Sequence, residues 1–518
     1  MAFIVFVIVL TSWPYASAYF HQSNDLVFTG FLFGVEDGNS YIAKMLLGAQ
    51  GEWLFRSPYT AIEQRGALLY LPYLILGKVL GPQAQHAQLV LLFHLFRSFS
   101  IAALCYASYE FVTHFIHRVV LRRLALAFVT LGNGLGWLLL FVGSTNWLGS
   151  LPLDFYSPET FGFLSVYGLP HLALARALFL WGLLIHLRAP QTLSRPWLIS
   201  LLWLCIALTH LLSAGLGLFL IGTHLVLLFV WQHFSADTKW PTLKPNAHLA
   251  GWAALGASPV FIYNGIAYLR GPYLQAWAIQ NQILSPHPLH YLLAYGWLLP
   301  FAYFGLRGLL ETDRRAGSFF LIWLLVLPFL LYAPLGLQRR LAEAAWVMMI
   351  LLSLKAFEDG FWMGKARALG FFTLAFPSTL ILLLGGWGAA ARPTPPIFRP
   401  QAEIAAFEEL RQRAQPGEVV LASYSTSNGL PAWAPLRVLI GHGPESVGLA
   451  TLLPQVNAFY GEFMTQVERE QFLNANGIDY VFWGLAERSL GVWTPGGSSN
   501  FDLLFEMNGY AVYRVIDK

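Results

Sequence analysis

Apolar stretches near or above the roughly 18 residues needed to cross a bilayer recur from the N-terminus to about Ala391, and then stop. Only 11% of the residues are charged and 56% are hydrophobic, whereas a soluble domain carries about 25% charged residues. Such a chain needs lipid as a solvent, and the pattern predicts an α-helical polytopic membrane protein. The formal net charge of +4 does not point to nucleic acid, because the Lys and Arg are scattered between apolar spans rather than gathered on one polar face. Cys105 and Cys205 both sit inside apolar runs, so neither a disulfide framework nor a CxxC metal site is available.

Apolar windows predict about eleven helices, near residues 1–19, 86–116, 122–143, 170–187, 197–213, 215–232, 248–269, 289–307, 317–335, 341–357 and 368–390. Ala16-Ser17-Ala18 resembles a signal-cleavage site, but no basic segment precedes the first apolar run, which favours a retained helix. The basic clusters Arg118/Arg122/Arg123, Arg188/Arg195, Lys239/Lys244, Arg307/Arg314/Arg315 and Lys355/Lys365/Arg367 fall in alternate loops. The positive-inside rule places those loops and the N-terminus in the cytoplasm, and the loops near 20–84, 143–169, 270–288 and 336–340 outside. The pattern predicts a transmembrane domain over residues 1–391, a Pro-rich linker over 392–400, and a small extracytoplasmic α/β domain over 401–518, with helices over 402–414, 447–459 and 466–475 and strands over 418–423, 437–440, 480–483 and 510–515. The weakest point of this topology is the turn expected near Ser213-Ala214-Gly215, since losing one span there would move everything downstream to the other side.

The first outside loop carries Glu36-Asp37, adjacent acids suited to act as a general base or to hold a divalent cation. Asp37 is equally suited to cap a helix over 39–48. The second outside loop adds Asp154, Glu159 and, where the next helix begins, His171, a candidate metal ligand with the acids or else a solvated turn. Arg339 and Arg340 lie in a tight outside turn, against the charge rule, and Arg97 and Arg176 fall inside spans, where an unpaired charge costs about 3 kcal/mol or more. A phosphate at the membrane surface satisfies such groups; for Arg97 and Arg176, so does an internal pair with Glu110 or Glu343. In the C-terminal stretch, Gly441-His442-Gly443-Pro444-Glu445-Ser446 is a polar turn without a Walker lysine or a G-x-G-x-x-G pattern, so no nucleotide is expected.

In order and position the chain resembles the GT-C glycosyltransferase superfamily, near its bacterial protein mannosyltransferase and aminoarabinose transferase groups. One helix is followed by Glu36-Asp37, Tyr41, Ala43 and Gly51, then by Leu71-Pro72-Tyr73, and the likeness covers residues 1–360. The resemblance implies transfer of a sugar from a polyprenyl-phosphate carrier to an extracytoplasmic glycan, lipid or protein acceptor, with inversion. It implies a first-loop acid as the base, Asp37 or Glu36; several branches have Asp-Glu where this chain has Glu-Asp, so both stay open. Glu159 or Asp154 would assist it or coordinate a metal. The leaving phosphate would fall to Arg339, Arg340, Arg97 and Arg176. The alternative from another class is a lipid-linked-sugar transporter or a glycan-binding membrane scaffold, although no repeated halves are visible in the sequence.

Overall fold

The computed structural model describes residues 1–188, 195–234, 243–361, 364, 370, 372–497 and 500–516; Lys239, Lys365 and Arg367 of the predicted basic clusters lie outside them. The chain is an α-helical integral membrane protein. Six helices among the described residues are long and apolar enough to cross a bilayer: Ala2–Phe20, His86–Phe115, Pro170–Leu187, Leu211–Phe234, Pro288–Thr312 and Arg314–Leu331. Leu71–Leu80, Trp197–Thr209 and Pro377–Ala390 are shorter apolar helices. Phe219, Val226 and Val230 stand exposed along Leu211–Phe234, a placement suited to lipid.

The helices separate into two compact units of discontinuous chain. The first comprises Met1–Ser12, Phe96–Tyr263 and Ile283–Gly385. Within it the span expected over 122–143 is broken, a correction to the sequence reading. A helix runs over Val119–Leu131, an irregular segment follows, and a short helix resumes at Trp137–Phe141. The irregular segment survives because neighbours satisfy its backbone: Asn133 N donates to Ala375 O at 2.7 Å and Leu135 N to Leu293 O at 3.3 Å. The turn expected near Ser213 falls instead at His210, whose extended backbone ends Trp197–Thr209 just before the next helix starts at Leu211. Intramembrane histidines bond to one another and to hydroxyls, His186 to His224 at 3.1 Å and His224 to Ser318 Oγ at 2.9 Å.

The second unit comprises Trp13–Leu95, Asn264–Gln282 and Gly386–Lys518. Its helix Val35–Ala49 lies against Leu71–Leu80 at backbone distance. A Cβ on Gly48 would come within 2.0 Å of Leu74 O, and one on Gly77 within 1.7 Å of Met45 O, so only glycine permits this approach. Strand β1 (Leu26–Phe28) pairs antiparallel with β2 (Phe398–Pro400). A five-stranded sheet joins β3 (Val419–Leu421), β4 (Arg437–Val438), β5 (Tyr480–Trp483), β6 (Phe501–Met507) and β7 (Tyr510–Val515) in the order β4-β3-β5-β7-β6. β3 runs parallel to β4 and β5, while β7 runs antiparallel to β5 and β6. Val419, Leu421, Val456, Phe459, Tyr460 and Val481 belong to the core beneath it. The helix Tyr424–Trp433, which packs against Val35–Ala49, and strand β6 are among the elements the sequence pattern did not show.

Candidate active site

Val35–Ala49 opens on Gly34, whose left-handed backbone (φ 57°) is the conformation glycine adopts without strain. No side chain caps the helix, which corrects the capping role expected of Asp37: that residue lies inside the first turn with Glu36. Both carboxylates therefore sit at the positive end of the helix dipole. At three- and four-residue spacing, Asp37, Ser40 and Lys44 share one face, and this face meets the turn 441–446.

The result is a line of alternating charge running inward. Asp37 Oδ1 lies 3.0 Å from His442 Nε2, and His442 Nδ1 lies 3.4 Å from Glu445 Oε1, an ion-pair contact rather than an aligned hydrogen bond. Glu445 Oε1 lies 2.5 Å from Lys44 Nζ and also accepts from Ser40 Oγ at 2.7 Å, while Ser57 Oγ donates to Oε2 at 2.8 Å. Lys44 Nζ additionally bonds Ser40 Oγ and stands 4.3 Å from the centre of the Tyr70 ring. Lys44, His442 and Glu445 are buried, whereas the Asp37 side chain is 50% exposed, so the line ends at a carboxylate open to solvent. Glu36 is exposed beside it and accepts from the Tyr424 hydroxyl at 3.0 Å.

Burial disfavours charge on His442, yet its hydrogen bond to Asp37 and the facing Glu445 carboxylate outweigh that and raise its pKa to about 9. Burial works the other way on Glu445, but Lys44 first and His442 next hold its carboxyl well below the usual range. Burial and the neighbouring Glu36 push the Tyr424 phenol up, so it remains a donor.

The other candidates lie in the first unit. Glu159 is buried and its Oε1 lies 3.3 Å from Arg340 Nε, an ion pair whose arginine is partly exposed. The Arg339 guanidinium lies 4.4 Å from the centre of the Tyr156 ring. Asp154 is spent on the fold: it is buried, accepts from Ser378 Oγ at 2.8 Å and from backbone at Gly134 and Gly136, and burial raises its pKa to about 6. Arg176 takes the internal role considered for it, pairing with Glu343 at 2.5 Å and donating to the carbonyls of Phe161, Pro158 and Glu159. Arg97 is buried and donates to Ser12 Oγ at 2.8 Å and to the carbonyls of Thr11, Val166 and Tyr167, so its guanidinium serves the fold as well. Glu110 accepts from Trp181 Nε1 at 2.9 Å. His171 is buried in the first turn of Pro170–Leu187.

No protein-family model matches the sequence, and no curated protein matches it significantly. Solved structures do match. The oligosaccharyltransferase of Archaeoglobus fulgidus superposes with a TM-score of 0.50 at 12% identity, over 92% of this chain and 67% of that one. The mycobacterial arabinofuranosyltransferase AftD superposes with a TM-score of 0.50 at 13% identity, over 99% of this chain and 40% of that much longer one. ArnT of Cupriavidus metallidurans matches over 99% of this chain and 98% of its own, at 12% identity and a TM-score of 0.47. The fold is that of the GT-C glycosyltransferases.

Within this GT-C fold the acid pair follows the first helix, as the sequence order suggested, but the groups that Asp37 meets come from far along the chain. Among the described residues no three His, Cys, Asp or Glu side chains are grouped to hold a metal ion. The donor sets do not fit a divalent cation either, because Asp37 and Glu159 each already face a positive group, His442 and Arg340. Of the inner residues, the sequence reading singled out the turn holding His442 and Glu445 but missed Lys44, Ser40 and Ser57. The signal for Lys44 was there: a lysine in the apolar run Ile42-Ala43-Lys44-Met45-Leu46, of a residue type almost never fully buried without a partner.

Proposed function

We propose that this protein is a glycosyltransferase that moves a sugar from a polyprenyl-phosphate carrier to an extracytoplasmic acceptor hydroxyl, with Asp37 as general base. The observation that carries the reading is the state of the Asp37 carboxylate, half exposed and engaged through Oδ1 by a buried chain of charges. A hydroxyl is a poor nucleophile until its proton is removed, and a positioned base contributes about 10²–10⁴-fold. Asp37 is preferred to Glu36 because Glu36 is exposed and held by a neutral phenol, whereas Asp37 is oriented by a buried ring.

In the proposed step the acceptor proton passes to Asp37 as the acceptor oxygen bonds to the anomeric carbon. The bond from that carbon to the carrier phosphate breaks, its electron pair leaves with the phosphate, and the anomeric configuration inverts. Within the first unit, Arg339 and Arg340 are the arginines proposed to bind a phosphate; neither is buried in an internal carboxylate pair as Arg176 is. Glu159 is proposed to steady Arg340. Arg97, Arg176 and Asp154 are left with structural roles. The glycosyltransferase fold supports the reaction class.

The test offers the purified protein a panel of synthetic polyprenyl-phosphate pentoses and hexoses with glycan, lipid and peptide acceptors. Transfer with inverted anomeric configuration, read by NMR of the product, is expected. Movement of labelled carrier across vesicles without any transfer would instead identify a transporter.

A further inference from the structure

The ring of His442 stands between two carboxylates, one at each nitrogen: Asp37 at Nε2 and Glu445 at Nδ1. A neutral imidazole has one N–H and one lone pair, so one of the two acids would face a lone pair across 3.0–3.4 Å. Only an imidazolium offers a proton to both. The count of charges agrees, since Lys44, Glu445, His442 and Asp37 then alternate in sign and sum to zero. The turn that carries the ring is itself fixed. The backbone N–H groups of Gly441 and His442 both donate to Ser446 Oγ, at 2.9 and 3.1 Å, and a Cβ on Gly441 would come within 2.7 Å of the Ser427 backbone. From the other elements around it, the ring faces Tyr59, whose ring centre is 5.4 Å away, with Tyr424 and Glu36 beyond Asp37.

Resting on the reading of Asp37 as the base, we propose that His442 is its positioning residue. As an imidazolium clamped by the buried Glu445–Lys44 pair, it holds Oδ1 and leaves Oδ2 to receive the acceptor proton. The ring does not take that proton, because both of its nitrogens already carry one; it fixes the direction and charge of the carboxylate. A residue of the C-terminal sheet region thereby completes a site whose acid comes from the first loop, and both belong to the same compact unit.

Two variants separate the roles of the ring: His442→Gln keeps an N–H donor without the charge, and His442→Leu removes both. For a positioning role, kcat falls about 10- to 100-fold in His442→Leu with little change in KM for the carrier, and His442→Gln recovers part of the loss. The rate of the unaltered protein declines as pH rises through the titration of His442, consistent with its raised pKa, and this limb is missing in His442→Gln. Unchanged kcat in His442→Leu, or an identical alkaline limb in His442→Gln, overturns the proposal.

A measurement without substrate tells its failure from that of the glycosyltransferase reading. In a thermal-unfolding cycle of Asp37→Asn, His442→Gln and the double variant, the pairing predicts melting shifts that are non-additive by about 2 °C or more at neutral pH. Additive shifts overturn the pairing whatever the activity. Coupling together with a fully active Asp37→Asn overturns the base assignment instead, and with it the positioning role.

Discussion

Lys44 Nζ lies 2.5 Å from Glu445 Oε1, and both side chains are almost wholly shielded from solvent. Removing one member of such a pair leaves a buried charge unpaired and costs about 3–5 kcal/mol, whereas removing both together costs much less. Lys44→Met and Glu445→Leu are each expected to lower the melting temperature sharply, and the double variant to recover a good part of the loss. Thermal unfolding of the detergent-solubilised protein, followed by intrinsic tryptophan fluorescence, checks this.

A second buried pair, Arg176 with Glu343, predicts the same sign in the other compact unit. Arg176→Leu strands the Glu343 carboxylate and is expected to destabilise the protein by about 3–5 kcal/mol. A melting temperature within one degree of the unaltered protein would show that Arg176 does not stabilise the fold through Glu343.

Stability should fall with rising pH in a window set by His442. An unfolded histidine titrates near 6.5, and the folded ring near about 9. The folded state thus holds the proton more tightly, so the contribution is complete below about pH 6.5, shrinks above it, and is gone above about pH 9. Melting temperatures at pH 6, 8 and 10 should show this decline, and His442→Gln should remove that part of it.

Much of this architecture was legible in the sequence. The spans near 86–116 and 170–187 appear as His86–Phe115 and Pro170–Leu187, because continuous apolar runs have one solution in lipid. In the C-terminal region the pattern located Gln466–Ala475, Tyr480–Trp483 and Tyr510–Val515. It failed where long-range partners decide the backbone. The break after Leu131 depends on carbonyls of Ala375 and Leu293, and Tyr424-Ser-Thr-Ser-Asn-Gly reads as a loop although it forms a helix capped by Ser423. The Glu36-Asp37 pair was visible, but its partner was not, since His442 Nε2 reaches Asp37 from 405 positions away. Spacing is blind to such a contact.

The topology carries its own prediction. If the C-terminal sheet region is extracytoplasmic, a cysteine replacing exposed Glu462, in a background with Cys105 and Cys205 changed to serine, should react with a membrane-impermeant maleimide in intact cells. Labelling only after permeabilisation would place that region in the cytoplasm.

The most direct test of the central claim is the single-turnover rate of sugar transfer in Asp37→Asn beside Glu36→Gln, with each protein first shown to melt as the unaltered one does. Asp37→Asn is expected to lose at least about 100-fold in rate, and Glu36→Gln less than about 10-fold. Full transfer by Asp37→Asn, or a larger loss in Glu36→Gln, would contradict that claim.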